Sequence, residues 1–315
     1  MTMLPTPPGD PLVLDQASLD AAGLSLTRSA WRRLRRNPGA IVGAVIVAVF
    51  LLVALCAPLL TSYRPGSGQW ADQITLDSVP GPGHGHLLGL DRFGSDLWTQ
   101  MVYGARSSLF LGVVSTLIGL TVGMVLGAVS GGFAVVGGRF GRRVDNVLMR
   151  CVDIMLSVPS LLLAISIAAI LGANVWAVIL AVGAAQVPFF ARLLRGSMFA
   201  QSGEDYVLAA TALGLRKRRI VIGHVLPNSI GPTIVQATLG LATATIEVAS
   251  LSFLGLGQSD PAAAEWGRML VAAQDRFDVA PQLAIYPGVA IAVTALGFTL
   301  LGEAMREALD PRSRR

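Results

Sequence analysis

Few side chains in this 315-residue sequence have the type and spacing that chemistry demands. A nucleotide hydrolase of the commonest kind cradles phosphate in G-x-x-x-x-G-K-[ST]. Lys217 is the only lysine and Arg216 precedes it, so that loop is absent. H-E-x-x-H and G-x-S-x-G, the marks of zinc and serine hydrolases, are absent as well. His84 and His86, in "PGHGHLLG", invite a metal, yet no cysteine or third histidine stands nearby and glycines flank both. They read as a polar loop. His224, the remaining histidine, is expected at the end of a basic helix, where the helix dipole favours a cation. Arg150 and Asp153 are three apart, the spacing of a pair on one helix face. Glu247 is isolated in an apolar run. It has three open placements: facing a transport pathway, meeting a partner subunit, or held neutral in low dielectric. No acid/base pair emerges, and an enzyme is not expected.

The composition says what must position these residues. The chain is 53% hydrophobic and 14% charged, with mean hydropathy +0.63. Soluble domains carry about 25% charged residues, so the expectation is an all-α membrane protein. A pI near 9.9 raises nucleic acid, but the arginines lie between apolar runs rather than on a soluble face. The first 26 residues lack a basic segment before an apolar core, so no cleavable signal is expected and the first span serves as an anchor. Cys56 and Cys151 sit in apolar contexts and read as small buried hydrophobes without a disulfide.

A crossing helix needs about 20 apolar residues. Ala40–Leu60 is the first span and Ser107–Gly138 contains the second. Ile154–Ala191 is uncharged and must hold two spans, with a turn at Gly172-Ala173-Asn174. The third span then begins near Val144 and takes Arg150 and Asp153 into one end. The fifth runs from about Ile230 to Gly255 and includes Glu247. The sixth is Val279–Gly302. Basic residues set the orientation of the six. Five precede the first span, three (Arg139, Arg142, Arg143) lie between the second and third, six between the fourth and fifth, and four follow the sixth. The other side holds five, Arg64, Arg92, Arg106, Arg268 and Arg276. Eighteen against five places both termini in the cytoplasm. Gly119, Gly123, Gly127 and Gly131 recur every four residues, a smooth ridge that lets a second backbone approach. Of the long outer segments, Thr61–Arg106 carries Tyr63, Trp70, Trp98 and Tyr103, candidates for the interfacial aromatic belt, and Gln258–Pro281 carries Trp266 in a mixed-charge helical pattern; both are candidates to line a vestibule or meet a partner.

The segment "YVLAATALGLRKRRIVIGHVLPN", Tyr206 to Asn228, stands apart. It reads as a small-residue helix that turns at Gly214 and a basic helix that stops at Pro227. It resembles the cytoplasmic loop signature of importer permeases of the ATP-binding cassette class, E-A-A-x3-G-x9-I-x-L-P. Ala209, Ala210, Gly214, Leu226 and Pro227 occupy matching places, while Leu208 replaces the glutamate and His224 the isoleucine. "NPGAIVGAVIV", "HLLGLDRFGSDLWTQMVYGARSSLFLG", "ASLSFLGLG" with "EWGRML", and "LGEAMREALDPR" resemble the dipeptide/oligopeptide/nickel permease family, in the subunit type with the longer N-terminal region. That family often has glutamate directly before A-S-L-S; here Val248 intervenes, which rotates the Glu247 carboxylate by about 100°.

The resemblance implies a MetI-like importer permease fold in a bacterial cell membrane. It implies a cytoplasmic tail over 1–30, a first span with its outer loop over 31–106, a permease core over 107–305 with a coupling loop at 200–228, and a tail over 306–315. Ala209, Ala210, Gly214, Arg218, Leu226 and Pro227 would engage the ATPase. Gly119, Gly123, Gly127, Arg150, Asp153 and Glu247 are pathway or packing candidates. The implied partners are a homologous second permease, two ATP-binding subunits or domains that hold ATP and Mg, an extracytoplasmic solute-binding protein and membrane lipid. No cofactor or metal is expected on this chain, and no nucleic acid. Peptides are the implied cargo, with nickel or a metal chelate as the alternative. A secondary transporter or channel would show inverted repeats with matching intramembrane charges, and a membrane-anchored DNA-binding regulator would need a soluble three-helix domain around the turn. Neither feature is present in the sequence.

Overall fold

The computed structural model describes residues 31–75, 77–83, 85–258, 260 and 263–309. His84 therefore lies outside the described residues, as do the 1–30 tail and 310–315. Helix dominates, and the described residues contain isolated bridges but no strand. Among the described residues five helical runs are long and apolar enough to cross a membrane, and there are six candidates when one sharply bent pair is counted as a single span.

Helix α1, Pro38–Leu55, starts with Pro38 in its first turn and Asn37 accepting from the Ala40 N–H at 3.2 Å. The short α2, Ala57–Leu60, follows a bend at Cys56. Helix α3, Leu97–Val136, has 40 residues and rises about 60 Å, twice the hydrocarbon thickness. Asp96 caps it through the Thr99 N–H at 2.8 Å, so Leu97–Arg106, expected as outer loop, is helical. It ends at Gly137, φ +83°.

Helix α4, Gly138–Leu156, and α5, Ser160–Leu171, meet at 93°. This corrects the expectation of a single span from Val144. Pro159 disfavours the helical region for Val158, so the first helix stops before it. Helix α6, Val175–Ser202, follows a turn at the expected place, with Asn174 capping the Ala177 N–H at 2.8 Å.

Helix α7, Asp205–Ala212, and α8, Lys217–Ile220, lead through a π turn, Val221–Val225, into α9, Leu226–Phe253. From Lys217 to Phe253 the helix is unbroken. Two expectations are corrected here: Pro227 does not stop the basic helix, and His224 does not end it. In the π turn the Leu226 N–H bonds to the Val221 carbonyl. The ladder is shifted where Pro227 has no N–H to give, so the proline sits without a break. Helix α10, Trp266–Ala273, lies in the outer segment, and α11, Gln282–Leu309, is the last span.

The bundle packs through small residues. A Cβ on Gly119, Gly123 or Gly127 would lie 2.6–2.7 Å from the carbonyl oxygens of Gly183, Val187 and Ala191 on α6. Any side chain there forces two backbones apart, at about 1–3 kcal/mol each. Asn37 Nδ2 donates to Glu307 Oε2 at 2.9 Å, which holds the start of α1 against the end of α11 on one side of the bundle.

Candidate functional site

The segment between α6 and α9 is built on one turn. Gly214 has φ +77°, a conformation that costs other residues about 1–2 kcal/mol. Its N–H bonds the Thr211 carbonyl at 3.0 Å, and the Leu215 N–H bonds that of Ala210 at 3.2 Å. This is a Schellman closure of α7, and it throws the chain into α8. Leu215 then packs back on Ala210, in a cluster with Leu194 and Met198 of α6 and Ile220, Val221 and Val225 of the long helix. The segment is thereby seated on the end of α6.

Its outer surface is left uncovered. Leu208, Leu213 and Ile222 are exposed, Leu213 to 82%, and so are Arg216, Lys217, Arg218 and Arg219. A groove of about 680 Å³ runs between Leu213, Arg216, Arg218 and Ile222. Of the residues expected to engage the ATPase, Ala209, Gly214, Arg218 and Pro227 are exposed, Leu226 is half-buried, and Ala210 faces inward. Ala210 packs its own segment instead of presenting itself outward. Leu208 projects from α7 into solvent, where an apolar side chain gains nothing until something covers it.

A second set of charges joins α4 to α6. Arg195 Nε and Nη2 grip Asp145 Oδ1 and Oδ2 at 2.6 and 2.7 Å, and the Ser130 hydroxyl donates to the same carboxylate. Asp153 pairs with Arg192. This corrects the expected Arg150–Asp153 pair: Arg150 is exposed on α4, and the partner of Asp153 comes from α6. Asp145 and Arg195 were not singled out from the string. The only signal was Arg192 and Arg195 at i, i+3 near the end of an apolar run. Cys151 is also exposed rather than buried, and Cys56 is half-buried.

Glu247 is 5% exposed, on α9. Its Oε2 has no hydrogen-bond partner among the described residues. Beside it, Val248 and Leu251 of α9 pack in one cluster with Ala164 and Ala168 of α5, the helix that begins just after the 93° break.

On the other side of the bundle the outer segments close on each other. Trp266 is 1% exposed, and its indole N–H donates to the Met101 carbonyl at 3.1 Å. It is a core residue of the outer segments. Gly104 lets α3 pass directly beneath its ring. Asp91 accepts from the Ser95 and Phe93 N–H groups at 2.7 and 2.9 Å, while burial pushes its carboxyl above the usual range. Glu265 caps α10 through the Gly267 N–H at 3.1 Å, and burial likewise pushes it up. Arg92 bonds Asp275 at 2.8 Å, and His86 faces Asp96 at 2.9 Å. A cavity of about 380 Å³ remains between Asp91, Gln100, Arg268 and Ala272.

Residues 119–315 match the family of binding-protein-dependent transport system inner membrane components. Residues 25–77 match the N-terminal TM domain of oligopeptide transport permease C. The chain is 41% identical over 285 residues to the dipeptide transport system permease protein DppC of Alkalihalophilus pseudofirmus, covering 90% of each. It is 35% identical to the glutathione transport system permease protein GsiD of Pectobacterium atrosepticum, covering 90% of this chain and 91% of that one. It is 33% identical to the oligopeptide transport system permease protein OppC of Bacillus subtilis, covering 96% and 94%. Among solved structures, the inward-facing MetNI methionine ABC transporter shares the fold, with TM-score 0.54 and 19% identity over 68% of this chain and 97% of that one.

Proposed function

The chain belongs to the binding-protein-dependent transport system inner membrane components, and from that membership we propose that it passes peptides across the membrane under ATPase drive received through residues 206–228. It is a multi-pass permease subunit of an ABC importer in the inner membrane. Such components work with a partner permease, an ATPase and a substrate-binding protein. For this chain the proposed set is a homologous second permease, two ATP-binding subunits that carry ATP and Mg, and an extracytoplasmic solute-binding protein. Peptide is the proposed cargo because the relatives above are named for dipeptides, glutathione and oligopeptides. The nickel or metal-chelate reading is not favoured.

One observation carries the coupling role. An uncovered surface of apolar and basic side chains is held on a closed turn and continues, without interruption, into a crossing helix. Ala209, Gly214, Arg218 and Pro227 line the outer side of that path, and Ala210 and Leu226 brace it. Docked in an ATPase cleft, the turn moves when ATP closes the ATPase pair, and α9 moves with it. In this reading 31–106 is an added first span and outer loop, 107–305 is the permease core, and both ends of the chain are cytoplasmic. The contact of Asn37 with Glu307 supports ends on one side, and the arginine distribution supports the cytoplasmic side. Glu247 sits on α9 next to the residues that pack on α5 and is a proposed pathway-shaping residue.

Replacing Gly214 with valine tests the coupling. The variant is expected to insert normally and to lose peptide uptake and transport-linked ATP hydrolysis in the reconstituted complex. Unchanged uptake at normal expression refutes the role.

A further inference from the structure

Helix α4 has three distinct faces. Gly141, Asp145, Met149 and Val152 point into the bundle. On the flank turned away, Phe140, Val147 and Ile154 recur every seven residues, which keeps them close to one line along a helix. They are 71, 63 and 63% exposed. Next to that line around the helix come Arg139, Arg143 and Arg150. All three are exposed, and none has an ion-pair or hydrogen-bond partner among the described residues.

The course of α4 matters as much as its faces. Asp145 bonds Ser130 of α3, yet Leu156, about three turns further along α4, shares a cluster with Leu126, one turn back along α3. The helix crosses α3 instead of running beside it. The break at Ser157–Val158 is a tight hydrogen-bonded turn, and it sets α4 and α5 at 93°. With α5 running across the bilayer, that bend lays α4 near the membrane plane. A basic, amphipathic helix lying across the bundle on the arginine-rich side has the form of an interfacial helix.

We propose that the outer flank of α4 is a binding surface for anionic phospholipid, with Phe140, Val147 and Ile154 in the acyl boundary and Arg139, Arg143 and Arg150 on headgroup phosphates. A protein partner suits this flank less well. Protein interface cores are depleted of charge, whereas a row of like charges beside an apolar row matches the two chemistries that an anionic leaflet offers at adjacent depths. The surface also reaches the coupling segment. Lys217 Nζ lies 4.0 Å from the place a Cβ would take on Gly137, at the foot of α4. An anionic headgroup there neutralises two groups of cations that otherwise repel, and so steadies the segment on its seat.

The test uses the assembled transporter in lipid nanodiscs, with a fluorophore on Cys151, which is exposed on the same flank, in a Cys56→Ser background. Brominated phosphatidylglycerol and brominated phosphatidylcholine are compared as quenchers at equal mole fraction. Preferential quenching by the anionic lipid is expected, with enrichment of about fivefold for each arginine fully engaged. The combined Arg139→Gln, Arg143→Gln and Arg150→Gln variant is expected to erase the preference. Equal quenching by the two lipids in the unsubstituted protein overturns the proposal, whatever the triple variant does. So does a photocrosslinker at Val147 that captures the partner permease instead of lipid.

Discussion

The two ends of this bundle treat their polar and apolar groups in opposite ways. At the outer end, Trp266, Asp91, Glu265 and Asp96 find their partners within the chain, and the segments they belong to are stitched to one another. At the inner end, Leu208, Leu213 and Ile222 face outward beside four consecutive cations. The outer end is held by these internal bonds, although Leu87 and Phe277 stay exposed there. The inner end adds a continuous apolar and basic surface, which the hydrophobic effect penalises until something covers it. The difference lies in internal bonding at one end and in the proposed ATPase contact at the other.

Substitutions break or sharpen that contrast. Trp266→Ala is expected to have the largest effect on stability, a loss of about 3–5 kcal/mol, read as a lower melting temperature of the purified complex. An unchanged melting temperature means that the outer end is not held by its own core. Replacing Leu213 and Ile222 together with serine is expected to shift stability by less than about 0.5 kcal/mol, as for other surface sites. The same pair is expected to weaken retention of the ATPase subunits about tenfold or more in a pull-down, because burying a leucine or isoleucine side chain contributes about 1.5–3 kcal/mol. Equal retention erases the contrast. The smallest effect belongs to Glu265→Gln. Burial raises the Glu265 carboxyl, so the folded state holds its proton at pH values where the unfolded chain has released it. Its stabilising contribution is full below the ordinary glutamate range and is lost as pH rises through the folded value. Melting temperature measured from acid to neutral pH should fall less steeply in the glutamine variant than in the parent protein. An identical pH dependence removes Glu265 from the account.

The sequence was most informative where the signal is local. Uncharged runs locate the crossings, Asn174 announces its turn, and Gly214 supplies the left-handed residue that a Schellman closure requires. The recurrence of glycine from Gly119 to Gly131 is visible in the string, although the string does not name α6 as the backbone it meets. What escaped is tertiary. Arg150 and Asp153 have the right spacing to pair, but a closer cation on α6 takes Asp153, and spacing along one helix carries no information about its neighbour. Pro159 is the local mark of the 93° break, and it sits inside a long uncharged run that on its own reads as continuous. Pro227 misled in the opposite direction, because a π turn upstream absorbs the lost donor. Polar, glycine-rich composition marks the outer segments as loops but does not show that Trp266 is buried beneath them, because that depends on a contact more than a hundred and sixty residues apart.

The unbroken helix from Lys217 to Phe253 has 37 residues and is about 55 Å long. In mechanical terms it is one continuous member rather than two pieces joined by a linker, and its compliant points lie within it, at the π turn Val221–Val225 and at Pro232. Under the proposed coupling, a load applied near Arg218 passes through both before it reaches Glu247. The stroke that would arrive there is set by how much bending those two points absorb.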